Sequence, residues 1–265
     1  MTISITAVVC CRNEAIYLKN LLPYCAEEGI EVALIDHGSD DGSKDIFCTK
    51  NYPNLVSRED LSFDGVFDLS AQLLVKANLI EKLKSDWVIH QDADEVLHSP
   101  DSWGGLRESF EEAHDGKFNA LNFNELVMLP STPSIDDYMS NNRSYYFFEP
   151  RPLRLMRAWR RSADLTNVAS GGHILLGKDL YVFPRLMILK HFMVRSQRHA
   201  IEKFVGRKFA EGDLAKGWHE GRSGLTADML TVPQFGPCLH SLETPQSSPE
   251  KLPRSVKAHF WQWRR

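Results

Sequence analysis

DWVIHQDADEVL, residues 86–97, carries four acids, Asp86, Asp92, Asp94 and Glu95, and three of these fall within four positions directly after the apolar run Trp87-Val88-Ile89. Like charges this close repel one another, and each costs desolvation if it is covered. The stretch reads as a buried strand that ends either in a solvated acidic loop or in a site for something positive. Which of the two it is depends on what the rest of the chain brings to the same place.

Upstream, strand and helix signals alternate. Residues 3–11 (ISITAVVCC) are β-branched and apolar, as a buried strand requires. Residues 13–27 place Ile16, Leu18, Leu21, Leu22 and Cys25 at helical spacing, with Asn13 as the expected N-cap, Pro23 as an interruption and Gly29 as the C′ residue. A second strand at 31–35 ends at Asp36, and the turn-rich DHGSDDGS leads into a short helix at 43–49. Residues 54–57 form a third strand. Residues 68–84 form an amphipathic helix whose apolar stripe runs from Leu69 to Leu83. With 86–90 as the fourth strand, the order predicts an α/β fold: one domain with a Rossmann-like, mostly parallel sheet and helices on both faces.

The second half is less regular. Residues 101–115 read as a helix, 118–129 and 144–149 as strands, and 151–158 with 171–176 as a strand pair around a polar loop. Residues 196–211 read as a basic helix. The expected organisation is a ligand-binding half at 1–100, a mixed second half of the same domain at 101–232, and a flexible or loosely docked tail at 233–265.

In an open parallel sheet, ligands bind beyond the carboxyl ends of the strands. CRNE (11–14), DHGSDDGS (36–43) and QDADE (91–95) all fall at such ends, so the chain delivers three polar clusters to one edge. A hard divalent cation held there by Asp92 and Asp94 would relieve their repulsion and take further oxygens from a substrate's phosphates. The chain has 265 residues and a net charge of −4, so no global basic field argues for nucleic acid. Its five cysteines, Cys10, Cys11, Cys25, Cys48 and Cys238, show no CxxC spacing; they read as reduced thiols of a cytoplasmic protein, not as a zinc site. The first residues lack a signal-peptide pattern and no run is long enough to span a bilayer, which leaves peripheral membrane contact open.

These motifs carry a resemblance. The stretch from Val8 to Ser43, followed by WVIHQDADEVL, resembles the nucleotide-binding half of a family 2 glycosyltransferase of GT-A fold: Asn13-Glu14, then Asp36-x-x-Ser39-x-Asp41-Gly42-Ser43, then Asp92-Ala93-Asp94. His37-Gly38 departs from the usual acidic and small residues. The second half resembles, more weakly, a bacterial branch with GGH (171–173), then His191-Phe192 and Arg195-Ser196, and then a helix bearing Lys203.

The resemblance implies a glycosyltransferase with a GT-A-like domain that uses Mn²⁺ or Mg²⁺ and moves a sugar from a nucleotide sugar, by family default a UDP-sugar. The acceptor is a glycan, a lipid-linked group or a protein. The implied nucleotide-sugar site comprises Arg12, Asn13, Glu14, Asp36, Ser39, Asp40, Asp92, Arg195 and Lys203, and the implied metal ligands are Asp92, Asp94 and His191. His191 reads also as a structural histidine at a strand end, and Arg195, Arg198 and Lys203 also as a solvated face. An inverting transfer needs a base for the acceptor hydroxyl. The family's E-D pair has no counterpart between Glu95 and His191, so Asp164 and His173 are the expected catalytic residues, with Glu125 and Glu149 behind them. A sugar-phosphate nucleotidyltransferase would need a glycine-rich loop after the first strand, and VVCCRNEAIYL has none. The other reading is a catalytically degenerate nucleotide- or glycan-binding module on the same fold.

Overall fold

The computed structural model describes residues 2–47, 51–130 and 138–263. In chain order the first half runs β1 (Ile5–Cys11), α1 (Ala15–Glu27), β2 (Glu31–Asp36), a 3₁₀ turn (Ser43–Phe47), β3 (Leu55–Asp60), α2 (Leu69–Lys82), β4 (Trp87–Asp92) and β5 (Glu95–His98). The second runs α3 (Leu106–Asp115), β6 (Ala120–Asn122), β7 (Asn124–Leu129), α4 (Tyr138–Asn141), β8 (Ser144–Phe148), β9 (Met156–Arg160), β10 (Leu165–Thr166), β11 (Leu176–Gly177), β12 (Ile188–His191), α5 (Gln197–Phe204), α6 (Glu211–Ala215) and β13 (His240–Ser241).

Six strands form the main sheet in the order β3-β2-β1-β4-β9-β6. The first four are parallel, and β9 lies antiparallel to both β4 and β6. This is the α/β architecture expected from the sequence. The residues of β1 are buried on both faces, which is why ITAVVCC carries no alternation of polar and apolar residues. Ile5, Ala7 and Val9 join Leu18, Leu21 and Leu22 of α1 in one core, while Val8 and Cys10 meet Leu79 of α2 in another. A second sheet, β13-β8-β7-β12-β5, grows from the strand that directly follows the acidic loop.

Local departures from the expected elements have local causes. α1 starts at Ala15, and Asn13 is not its cap. Asn13 sits at φ 56°, and the amide of Ala15 is taken instead by Asp41 Oδ2 at 3.0 Å. At its other end, Gly29 (φ 63°) makes the expected C′ turn, with Ile30 N donating to Cys25 O at 2.7 Å and Gly29 N to Ala26 O at 3.1 Å. The helix expected at 101–115 is broken at Gly104, whose φ of 83° no helix tolerates. The run 118–129 divides at Phe123 between the two sheets, with Asn122 Oδ1 accepting from Leu155 N and Asn124 Nδ2 donating to Met187 O. The pair expected from 151–158 and 171–176 does not form. β9 lies between β4 and β6, and β11 pairs with β10; one backbone bond, Met156 N to His173 O at 2.8 Å, joins the two segments. The basic helix ends at Phe204, and Gly206 (φ 73°) turns the chain so that Phe67 and Phe209 form a bridge.

Residues 233–263, expected as a flexible or loosely docked tail, run back over the second sheet. β13 pairs with β8, and Val256 bridges Phe148. Phe260 and Trp261 are buried among Tyr146, Phe148 and Phe204. The buried Lys190 amine donates to the carbonyls of Pro245 and Gln246 at 2.9 and 3.0 Å. Cys10, Cys11, Cys25 and Cys238 are free thiols, while Cys48 lies outside the described residues. Among the described residues, no helix is long and apolar enough to cross a membrane.

Candidate active site

The parallel register brings the three polar clusters level, with Cys11 opposite Asp36 and Cys10 opposite Asp92. Beyond the carboxyl ends of these strands lies a cleft of about 610 Å³. Arg12, Glu14, Asp92, Asp94, His173, His191 and Lys203 line it; Asn13, Asp36, Ser39, Asp40, Asp164 and Arg195 do not.

The first two loops are knitted together. Asn13 and Asp40 exchange two hydrogen bonds of 2.8 Å, Asn13 N donates to Ser39 Oγ at 3.0 Å, and Glu14 N donates to Ser43 Oγ at 3.1 Å. The polar groups of Asn13, Ser39 and Asp40 are thus committed to one another, which explains their spacing without any ligand. Asp36 differs. Its Oδ2 accepts from Ser39 N at 3.1 Å, while its buried Oδ1 has no partner among the described residues. A buried acceptor left unpaired costs about 1–3 kcal/mol, so Oδ1 is the atom here that a ligand's N–H or O–H would satisfy. Arg12 bonds the carbonyl of Gly38 and stacks 3.6 Å above the Phe63 ring.

Two chains of alternating charge organise the third cluster. In the first, Asp92 Oδ1 faces the Lys76 amine at 3.2 Å and Oδ2 faces Arg157 at 3.4 Å; Arg157 also pairs with buried Glu95 and donates to Gly172 O at 3.0 Å. Burial opposes ionisation of Asp92, but Lys76 and Arg157 outweigh it and hold the carboxyl well below its usual range. In the second chain, Asp94 Oδ2 accepts from Lys203 at 2.7 Å and lies 3.4 Å from His191 Nε2, while His191 Nδ1 meets Glu125 Oε1 at 2.6 Å. Glu125 in turn pairs with Arg154, and Lys203 reaches Glu14 at 3.7 Å. Burial would lower the His191 pKa, but Asp94 and Glu125 raise it to about 10. Burial pushes Glu14 up to about 7, against the pull of Lys203.

The donor set bears on the expected cation. Among the described residues no group of three His, Cys, Asp or Glu side chains converges as a cage. Asp94 and His191 converge as a pair. Glu125 on Nδ1 holds the His191 ring with Nε2 turned to Asp94, which is how carboxylates orient metal-bound histidines. Two protein ligands leave room for the phosphates and waters that a hard divalent cation prefers. Both oxygens of Asp92 are engaged by fixed cations, so the fit centres on Asp94 and His191.

The two expected catalytic residues separate. Asp164 is exposed, in the turn after β9. The antiparallel register sets Arg160 opposite Trp87 and so carries Asp164 to the far edge of β4, away from the cleft; this corrects the expectation for it. His173 lines the cleft and is neutral, pushed down to about 3 by burial and by the Arg154 and Arg157 charges. Sequence reasoning missed Lys76, Arg154, Arg157, Arg207, Arg222 and the aromatic group His259 and Trp261, and it ranked Glu125 low. A signal existed for Lys76: it lies three residues from both Leu73 and Leu79, on the buried stripe of α2.

No family model and no curated protein matches the chain. Solved structures are similar in fold. Residues 1–349 of TarS from S. aureus superpose with a TM-score of 0.45 at 12% identity, covering 87% of this chain and 75% of that one. A longer TarS structure gives 0.41 at 12% identity, over 79% of this chain and 41% of that one. Glucosyl-3-phosphoglycerate synthase from Mycobacterium tuberculosis, solved with Mn²⁺, UDP and glucosyl-3-phosphoglycerate, gives 0.30 at 11% identity, over 47% of this chain and 44% of that one. These likenesses concern the course of the backbone, and the chain covers 41% of the longer TarS.

Proposed function

We propose that the protein is a metal-dependent glycosyltransferase that moves a sugar from a nucleotide sugar, UDP-linked by default, to an acceptor hydroxyl. The observation that carries this reading is the Asp94–His191 pair, oriented by Glu125, in the same cleft as Arg12 and Glu14 at the carboxyl edge of β4. Asp36 Oδ1 accepts a hydrogen bond from the base or ribose. Asp94 and His191 hold the cation. When bound, a divalent cation supplies Lewis-acid stabilisation of the departing diphosphate. Lys203 and Arg207 neutralise the same diphosphate as charge-assisted donors. Asp92, clamped by Lys76 and Arg157, keeps the loop in shape.

His173 is the base for the acceptor proton. It is neutral in the cleft, and an anion bound beside the arginines that depress it would raise its basicity towards working pH. The same site without turnover would be a binding module. What favours that second reading is the Lys203 amine already seated on Asp94.

The full chain, incubated with a set of nucleotide sugars with and without Mn²⁺, is expected to release nucleoside diphosphate only with metal, and Asp94→Asn is expected to lose that release. Metal-dependent UDP binding without release from any donor would favour the binding module. UDP binding that is indifferent to both Mn²⁺ and Asp94→Asn would refute the site.

A further inference from the structure

Seven lysine and arginine side chains line the cleft, and four are already committed. Arg12 bonds the carbonyl of Gly38, Arg154 pairs with Glu125, Arg157 with Asp92 and Glu95, and Lys203 with Asp94 and Glu14. The other three, Arg151, Arg207 and Arg222, make no hydrogen bond or ion pair among the described residues. Of the lining acids, only Glu220, exposed at the rim, is likewise unpaired. Arg207 stacks on Phe67 at 4.0 Å and lies near Glu14, Asp94 and Arg12, on the side assigned above to the donor diphosphate. Arg222 lies near Arg207, and its field also reaches His173 and His259; Trp261 Nε1, beside His259, donates to the carbonyl of Gly221 at 2.8 Å. Arg151 lines the same cleft from the turn that follows β8.

Two further features mark this part of the cleft as built for something. Leu153 (φ 52°) and His219 (φ 65°) occupy the left-handed region, which costs a branched or bulky side chain about 1–3 kcal/mol. The Leu153 turn carries Arg151 and Arg154, and the His219 turn carries Arg222. Between them the Phe148, His259 and Trp261 rings form a continuous stack, with centroids 3.8 and 4.6 Å apart and interplanar angles of 28° and 27°. All three rings line the cleft. Uncompensated cations beside the edge of an aromatic stack suit a ligand with an apolar body and a charged end.

We propose that the acceptor bears an anionic group, a phosphate or a carboxylate, held by Arg151 and Arg222 beside Arg154, with the body of the acceptor lying against the Phe148–His259–Trp261 stack. The word acceptor rests on the glycosyltransferase reading; the anion site itself does not.

The test uses the full chain saturated with UDP and Mn²⁺, so that the donor subsite is filled, and titrates glycerol phosphate, glycerate and glycerol by calorimetry at fixed ionic strength. At least one of the two anions is expected to bind and glycerol is not; which anion binds separates phosphate from carboxylate. Arg151→Gln and Arg222→Gln, checked for folding by circular dichroism, are each expected to weaken that binding about tenfold or more and to change UDP affinity less than about threefold. Anion binding that vanishes when UDP is present would assign the anions to the diphosphate subsite and overturn the proposal. So would anion affinity unchanged in both variants, or equal binding of glycerol. If UDP and Mn²⁺ do not bind at all, the donor reading fails; the same titrations on the free chain, with Arg151→Gln as the discriminating variant, still decide the anion site.

Discussion

Replacing Arg157 with methionine tests the electrostatic frame on which the acidic loop stands. Arg157 is 5% exposed and its partner Glu95 1% exposed. Methionine keeps much of the volume but leaves Glu95 with only the Asp92 backbone N–H at 3.1 Å. A buried carboxylate that loses its cation escapes by taking up a proton. Burial already holds the Glu95 carboxyl at about 7 with Arg157 in place, so the variant loses only the ionised form, about 1.36 kcal/mol for each pH unit above about 7, or about 2.7 kcal/mol at about pH 9. At about pH 6 the carboxyl is neutral in both proteins and this loss is about 0.1 kcal/mol. The lost hydrogen bond to Gly172 O adds about 1 kcal/mol at either pH.

The sign follows from the folded state. The Glu95 pKa is raised above its unfolded value in both proteins, so both lose stability as pH rises above about 4.3; the wild type stops losing it near 7, where Arg157 lets the carboxyl ionise, and the variant does not. Urea unfolding followed by circular dichroism should therefore show a deficit of about 1 kcal/mol near pH 6 that grows to about 4 kcal/mol near pH 9. Adding Glu95→Gln should recover part of the loss and remove its pH dependence. A deficit that is the same at both pH values, or below about 2 kcal/mol near pH 9, would refute the reasoning.

Other perturbations probe neighbouring parts. Trp261→Ala removes a ring that is 5% exposed from the second core; a loss of about 3–5 kcal/mol in urea is expected, and a loss under 1 kcal/mol would mean that the last segment is not docked. Gly172→Ala would put a Cβ 2.8 Å from His90 Cε1 at a φ of 82°; it should cost about 1–3 kcal/mol, and an unchanged midpoint would contradict the close approach. His173 and His259 are both pushed down to about 3, chiefly by burial, so they fold neutral and the unfolded chain takes up their protons first. Stability should then fall as pH drops below about 6.5, with each histidine contributing up to about 1.4 kcal/mol per pH unit. The His173→Gln/His259→Gln variant should flatten that slope in a pH series of urea midpoints.

The parallel half of the fold was legible because its strands are buried on both faces and its helices show one apolar side. Short-range sequence carries those two signals. The second half was less so. The run 118–129 reads as one strand, yet it serves two sheets, because asparagine side chains at 122 and 124 cap the break and no periodicity records that. The helix at 101–115 and the strand pair at 151–176 failed for similar reasons: one left-handed glycine in the first case, and a pairing decided by distant strands in the second.

At the site, the sequence by itself determined that Asp36, Asp92 and Asp94 leave two parallel strands at one edge, because strand order and the buried runs before them fix where their loops emerge. Only the tertiary structure decided how those charges are shared. It gave Asp92 to Lys76 and Arg157, turned His191 and Glu125 towards Asp94, carried Asp164 to the far edge by the antiparallel register of β9, and folded residues 233–263 back over the second sheet. Charge partners as far apart in sequence as Asp92 and Arg157, or Asp94 and Lys203, meet through the packing of whole sheets and helices, and no local pattern of residue types encodes that distance.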